Sequence, residues 1–228
     1  FTTSGGLIGK RALDMNGSSH YVTITDSASM DSFASNDQIT IEAWVNADDL
    51  GGGITDKSII GRNSQFNLNF ENGNDKIELL LDIGDGFKTL ISNTAYTSLT
   101  AGKWYHIAGT WDGTTMKLYI DGKLDATSTP TGDLQDQSEN ILIGAYRTGA
   151  EKYWDGKIGR VSVWNTALTE AQIRKMLFYD WTAMAADDSN FTDSECIGWW
   201  QFDEGTGTDV ADSSASGNDG TMGSATWA

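Results

Sequence analysis

The chain has 228 residues, of which 39% are hydrophobic, and its nine Trp, seven Tyr and eight Phe supply enough apolar volume for one large domain. The formal net charge of −17 at pH 7 repels polyanions, so neither nucleic acid nor an anionic membrane surface is expected as a partner. No apolar run is long enough to insert across a bilayer, and the single Cys196 excludes an intrachain disulfide.

The first half of the chain consists of strand patterns separated by turn residues. Two short strands are predicted within Arg11–Thr25, on either side of an Asn-Gly turn that tolerates positive φ. In Gln38–Asn46 apolar and polar residues alternate strictly, which predicts a strand with one buried face. Four further strands are predicted, at Ser58–Arg62, Phe66–Glu71, Lys76–Ile83 and Phe87–Ser92.

The second half continues the same pattern and adds one helix. A meander with Asp-Gly turns is predicted at Trp104–Trp111, Met116–Ile120 and Lys123–Thr127, followed by strands at Ile141–Tyr146 and Lys157–Trp164. Thr169 and Gln172 form a capping box sequence ahead of a short helix. We interpret the polar stretch Tyr179–Glu195 as a linker-like loop. Everything else is strand and turn, as in a double-sheet sandwich.

The two ends of the chain read as one passage that has been divided. Gly198–Ala228 holds a strand-like run, a polar loop and a short apolar piece, and the first residues of the chain read as its continuation. Because the termini of a compact domain often lie close together, we expect one domain over residues 1–228, with 198–228 supplying the strand that usually opens it. Two alternatives are one unit of a tandem array and a dimer that exchanges its last strand.

A set of motifs in fixed order carries a family resemblance. The chain contains ITIEAWVN, KWYHIAGTWDG, LYIDGKL, ILIGA and WDGKIGRVSVWNTALTEAQI, and its tail and head supply WQFDEGTG, DSS, GKRAL and NGSSHYV. When the tail and head motifs are read first and the others after them, nearly the whole chain resembles the laminin G-like, concanavalin A-like jelly-roll domains of the pentraxin and lectin/glucanase group. The resemblance implies an all-β fold: a jelly-roll sandwich of two antiparallel sheets with one short helix, adjacent termini and a permuted start.

Catalytic constellations of such folds are not found in this sequence. Glucanases of the group carry carboxylates at alternating strand positions, but no E-x-D-x-E run is present and Glu42 stands alone on its strand. Lyases need a cooperating His/Tyr pair, whereas Tyr105 and His106 are adjacent and therefore face opposite sides of a strand. His106 also matches a structural histidine of similar domains. We therefore expect a domain that is not an enzyme.

The resemblance also implies a structural calcium ion. Related domains often hold calcium near their first loop and F-D-G turn, and the matching positions here are Asn16, Gly17 and Asp212. Asn16 replaces the usual aspartate, and Ile158-Gly159-Arg160 replaces an I-D-E sequence, so carboxylates are missing. The alternative is that Asp212 and its neighbouring serines form Asx-type turns.

The loop after Ile141–Tyr146 is the richest in aromatic and charged residues. We predict ligand binding by Tyr146, Arg147, Tyr153 and Trp154, since aromatic faces and charged side chains recognise sugars. Trp154 alternatively matches a packing aromatic of similar domains. Asn67 and Asn69 share a strand face with Gln65 and Glu71, which predicts either a ligand platform or a solvated sheet face.

These observations predict a non-catalytic lectin or adhesion module that binds a glycan or another surface ligand. The resemblance places such a module outside the cell or on a cell or particle surface, with calcium as the one cofactor to test. The alternatives are a structural or assembly module of a surface or particle protein, and a divergent polysaccharide hydrolase or lyase.

Overall fold

A computed structural model describes residues 11–51, 56–84, 86–146, 152–187 and 191–228. In these ranges the strands are β1 (Leu13–Asn16), β2 (Val22–Ile24), β3 (Ile39–Ala47), β4 (Lys57–Arg62), β5 (Phe66–Glu71), β6 (Lys76–Asp82), β7 (Phe87–Ala95), β8 (Tyr105–Trp111), β9 (Met116–Ile120), β10 (Lys123–Ser128), β11 (Ile141–Ile143), β12 (Asp155–Trp164), β13 (Cys196–Trp200), β14 (Asp209–Val210), β15 (Gly220–Met222) and β16 (Thr226–Trp227). The α-helices are α1 (Ser32–Asn36), α2 (Glu170–Met176) and α3 (Trp181–Ala185). None of these described helices has the length and apolarity needed to span a membrane.

The strands form two antiparallel sheets. Sheet A has the order β10-β9-β8-β3-β12-β1-β16, and β13 also pairs with β12. Sheet B has the order β14-β15-β2-β11-β4-β5-β6-β7. The predicted all-β sandwich of two antiparallel sheets is confirmed, and the meander and the strand series in the first half of the chain fall where the turn residues place them.

The core lies between the two sheets and follows from the alternation within strands. On β3, Ile39, Ile41 and Ala43 are fully buried, and on β5 the same holds for Phe66 and Leu68. These residues belong to one contiguous apolar cluster. Burying each large aliphatic or aromatic side chain contributes about 1.5–3 kcal/mol, so the period-two pattern fixes which face of each strand points inward.

The C-terminal segment pairs with the beginning of the described chain. In sheet A, Trp227 of β16 lies opposite Leu13 of β1, and the Ala228 amide donates to the Ala12 carbonyl at 2.9 Å. Residues 155–158 of β12 pair with β1, and residues 161–164 of the same strand pair with β13. Because β3 occupies the other side of β12, β13 and β1 lie end to end along one side. This shared position explains why tail and head read as one passage.

One of the sequence interpretations needs correction, and the sheet topology adds detail to another. The strands predicted within Arg11–Thr25 exist, but β1 belongs to sheet A and β2 to sheet B, so the turn at Gly17 crosses between sheets and does not close a hairpin. The linker-like interpretation of Tyr179–Glu195 is wrong, since this region contains α3 and buries Met184 and Phe191 in a second apolar cluster. The predicted capping box of α2, which precedes this region, is confirmed.

Candidate functional site

The polar row on β5 is a buried, hydrogen-bonded network. Since Phe66 and Leu68 point into the core, Asn67 and Asn69 point to the outer face of sheet B, yet both are fully buried. Ser58 Oγ donates to Asn67 Oδ1 at 2.5 Å, and Asn67 Nδ2 donates to Asn69 Oδ1 at 2.9 Å. The row is therefore not an ordinary solvated sheet face.

Tyr146 covers one end of this row. A Cβ atom placed on Gly61 would lie 2.7 Å from Tyr146 Cδ2 and 2.9 Å from Asn67 Oδ1, so the close approach of the ring requires glycine. Lys152 Nζ lies 5.7 Å from the centroid of the same ring and 2.8 Å from Asp56 Oδ2. The ion pair and the aromatic ring thus flank the amide row.

Two half-buried tyrosines extend the outer face toward β15. Tyr153 and Tyr21 lie with their ring centroids 6.3 Å apart and their planes inclined by 41°. Tyr21 packs on Gly223, where a Cβ would be 3.1 Å from the ring. Their chain neighbours Trp154 and Val22 are buried in the core, which directs both tyrosines outward. We call the whole surface the tyrosine–amide band; it comprises Tyr21, Asp56, Ser58, Asn67, Asn69, Glu78, Tyr146, Lys152 and Tyr153.

The carboxylates of the band have unequal environments. Glu78 lies opposite Asn69 in the register of β5 and β6, and burial raises its pKa more than the Asn69 amide and Lys152 lower it. For Asp56, burial also raises the pKa, but the Asn72 backbone amide and Lys152 outweigh this and lower it overall. Asp56 is therefore held in an ion pair with Lys152. The interactions of Glu78 with Asn69 and Lys152, in contrast, do not offset the cost of burying its carboxylate.

The predicted ligand residues divide into three groups. Tyr146 and Tyr153 both belong to the band. Trp154, in contrast, is fully buried and packs edge-on against Phe70 with ring centroids 5.1 Å apart, so its ring faces the core and not a surface ligand. Arg147 lies outside the described residues. Sequence reasoning missed Tyr21, which is distant along the chain.

The three residues predicted to bind calcium do not come together. Asn16 lies opposite Asp155 at one end of β12, whereas Asp212 bridges to Trp200, which lies opposite Val161. Six residues of strand correspond to about 20 Å, so these positions cannot share one ion.

The side chains of Asn16 and Asp212 are already engaged in local hydrogen bonds. Asn16 Oδ1 accepts the amides of Ser18, Ser19 and His20. Asp212 accepts those of Trp199, Ser214 and Asn218, as its Asx-turn alternative predicted. The carboxylate nearest to Gly17 is that of Asp155, and it forms an ion pair with Lys57, whose Nζ lies 3.0 Å from Asp155 Oδ2. Within the described ranges, no cluster of three or more His, Cys, Asp or Glu side chains is arranged to hold a metal.

Glu42, His106 and Arg160 form a buried ionic cluster on the outer face of sheet A. His106 Nε2 lies 2.8 Å from Glu42 Oε2, and Arg160 donates to both Glu42 oxygens at 3.2 and 3.1 Å. Arg160 also donates to the carbonyls of Met176 and Tyr179 at the end of α2, each at 2.6 Å. Burial raises the Glu42 pKa, but Arg160 and His106 lower it more, to about 2. These groups hold α2 on the sheet and are closed to a substrate.

A shallow groove of about 270 Å³ separates the free edges of the two sheets, between β7 and β10. Ile91 and Leu124 are partly exposed beside it. Asp125 of β10 accepts the amides of Asn93 and Thr94 of β7, so the polar groups of the groove serve to join the two edges.

The comparisons with known proteins agree with this fold. A family described as the concanavalin A-like lectin/glucanases superfamily matches residues 16–174, which is more than half of the chain. The chain belongs to this superfamily. A curated relative, pappalysin-1 of Mus musculus, is 31% identical over 84 residues, which are 35% of this chain and 5% of that protein.

Three solved structures are similar to this superfamily member. A Bacteroides ovatus protein provisionally assigned as carbohydrate-binding has a TM-score of 0.73 at 19% identity, covering 100% of this chain and 61% of that one. A heptameric pentraxin of Limulus polyphemus has a TM-score of 0.57 at 17% identity, covering 76% and 84%. Domain 4 of an extracellular arabinanase from Geobacillus stearothermophilus, solved with arabinotriose, has a TM-score of 0.54 at 20% identity, covering 73% and 76%. At these identities the likeness shows the fold.

Proposed function

We propose that the chain is a non-catalytic carbohydrate-binding module whose ligand lies on the tyrosine–amide band. The observation that carries this proposal is the placement of Tyr21, Tyr153 and the Glu78 carboxylate, all half-buried, on one sheet face that is backed by the fully buried amide row. Aromatic rings accept the apolar faces of sugar rings, and a few convergent polar groups bind the hydroxyls. A surface or extracellular location fits such a role.

The similar structures support this reading at the level of the fold. The arabinanase domain was solved with arabinotriose, and the Bacteroides ovatus protein is provisionally assigned as carbohydrate-binding. The groups that resemble catalytic residues in the sequence, Glu42 and His106, are fully buried and bonded to each other. We therefore propose binding without hydrolysis. Release of reducing ends from a polysaccharide panel would contradict this part of the proposal.

A glycan array probed with the chain and two variants tests the proposal. Tyr153→Ala and Tyr21→Ala remove half-buried rings from the band, and each should weaken the strongest signals by at least about tenfold, as expected for aromatic anchors. Phe178→Ala is the matched control, because Phe178 is 68% exposed and lies just after α2 on sheet A. Equal losses in all three variants, or no binding by the parent chain, would contradict the proposal.

Calcium dependence and self-assembly stay predictions. Since Asp212 and the Asn16 turn are separate, calcium would bind at one of them and not between them. A melting midpoint that rises in calcium relative to EDTA would show binding to the native state, and an unchanged midpoint would remove calcium from the account. Sedimentation showing an obligate oligomer, together with a silent glycan array, would favour the alternative of an assembly module with tandem copies or an exchanged strand.

A further inference from the structure

The tyrosine–amide band is lined with more negative than positive charge. Glu78, Asp56 and the adjacent Glu71 each bring a carboxylate, and Glu71 and Asp56 both act on the pKa of Glu78 in the raising direction. Lys152 pairs with Asp56 at 2.8 Å. The band therefore has several carboxylate oxygens and little unpaired positive charge that could bind an anionic ligand.

The other ammonium groups near the band are also occupied. Lys76, beside Glu71 at the end of β6, donates to the Asn93 carbonyl on β7, and Lys57 pairs with Asp155 at 3.0 Å. Among the described residues of the band, each ammonium is thus already paired with a protein acceptor.

Glu78 is the group that a bound sugar would meet. It is half-buried on the outer face, and Asn69 lies behind it, fully buried, with an Nδ2 that has no well-aligned hydrogen-bond acceptor. An ionised carboxylate accepts hydrogen bonds and cannot donate them. A sugar hydroxyl can donate to it, whereas a uronate, sialate or sulfate group would bring a second negative charge to the same place.

We infer that the tyrosine–amide band binds neutral glycans and rejects glycans that carry carboxylate or sulfate groups at the contacting sugar. This inference rests on the proposed function and adds the chemical class of its ligand. Like charges placed together in an interface are strongly unfavourable, and the −17 net charge of the chain opposes the approach of polyanions over longer distances. The hydroxyls of a neutral sugar meet neither barrier.

Matched pairs of glycans test this selectivity by isothermal titration calorimetry. The probes are lactose with 3′-sulfolactose, and methyl-esterified galacturonan oligomers with the free-acid oligomers, since each pair differs mainly in an acidic group. We expect the neutral member to bind at least about tenfold more tightly. We also expect the gap to narrow in high salt, because salt screens the exposed part of the repulsion.

Charge variants locate the source of the selectivity. Glu78→Gln keeps the size and an acceptor oxygen but removes the charge, and it should raise the affinity for the acidic members several-fold. Asp193→Asn is the matched control, because Asp193 is exposed and lies just before β13 of sheet A, on the other side of the core from the band. The control should therefore leave the selectivity unchanged.

The outcomes separate the two levels of the proposal. Neutral binding with rejection of acidic glycans, relaxed by Glu78→Gln alone, supports the inference. Equal or tighter binding of the acidic members overturns the inference and leaves the glycan-binding function standing. Binding of no member of either class in the calorimeter and on the array overturns the proposed function, and the inference with it.

Discussion

Replacing Glu42 by Gln tests how much the buried ionic cluster of sheet A stabilises the fold. The substitution keeps the shape of the side chain but leaves Arg160, which is 2% exposed, without the carboxylate that it contacts at 3.1 and 3.2 Å. Removing one partner of a buried ion pair costs about 3–5 kcal/mol because the other charge is left uncompensated. At about 2–4 °C per kcal/mol for a domain of this size, the melting midpoint should fall by about 6–20 °C.

The pH dependence gives a second, independent measure. The pKa of Glu42 is lowered from 4.5 to about 2 in the folded chain, so its ionised form stabilises the fold above about pH 4.5. This contribution is lost as the pH falls toward 2, because the folded carboxylate then takes up its proton. The shift corresponds to about 3 kcal/mol. The variant lacks this carboxylate, so the difference in unfolding free energy between parent and variant should shrink on acidification.

Urea denaturation followed by tryptophan fluorescence at pH 7, 5 and 3 measures both effects. Glu139→Gln is the control, since the side chain of Glu139 is exposed and its change should stay within about 0.5 kcal/mol. A loss below about 1 kcal/mol for Glu42→Gln, or a loss that is the same at all three pH values, would refute the assignment of Glu42 as the stabilising partner of Arg160.

Three further predictions concern other parts of the fold. Trp154→Ala should lower the unfolding free energy by about 3–5 kcal/mol, because the ring fills the core; a neutral result in a thermal melt would put that ring at the surface after all. Gly61→Ala should weaken glycan binding by about tenfold and lower the melting midpoint less than Trp154→Ala does. The reason is that a Cβ at Gly61 would lie 2.7 Å from Tyr146 Cδ2 and would push the ring aside; an unchanged affinity in calorimetry would remove Tyr146 from the site. Deleting residues 226–228 should speed amide exchange in β1, which loses its β16 partner; unaltered protection would contradict that pairing.

The architecture was predictable because local patterns and tertiary contacts agree over most of the chain. The alternation in β3 predicts the face that packs into the core between the two sheets, and the Asp-Gly turns between β8, β9 and β10 predict their meander. The capping box at Thr169 predicts the start of α2. Each of these signals is satisfied within a few residues, so no knowledge of distant contacts is needed.

The errors arise where distant segments decide the structure. Residues 179–195 are mostly polar, and Met184 and Phe191 become recognisable as core only when they meet Trp164 and Trp199. Asp212 and Asn16 match one motif in a permuted chain, but the register of β12 places them next to positions that are six residues apart along that strand. Tyr21 joins the candidate site through pairing between β2 and β11, which no local pattern encodes.

A crystal structure of the chain with the neutral oligosaccharide that gives the strongest array signal tests the central claim most directly. We expect the sugar on the outer face of sheet B, stacked on Tyr153 or Tyr21 and with a hydroxyl within hydrogen-bond distance of Glu78. A sugar bound instead in the groove between β7 and β10, or on sheet A, with the tyrosine–amide band uncovered, would contradict the account.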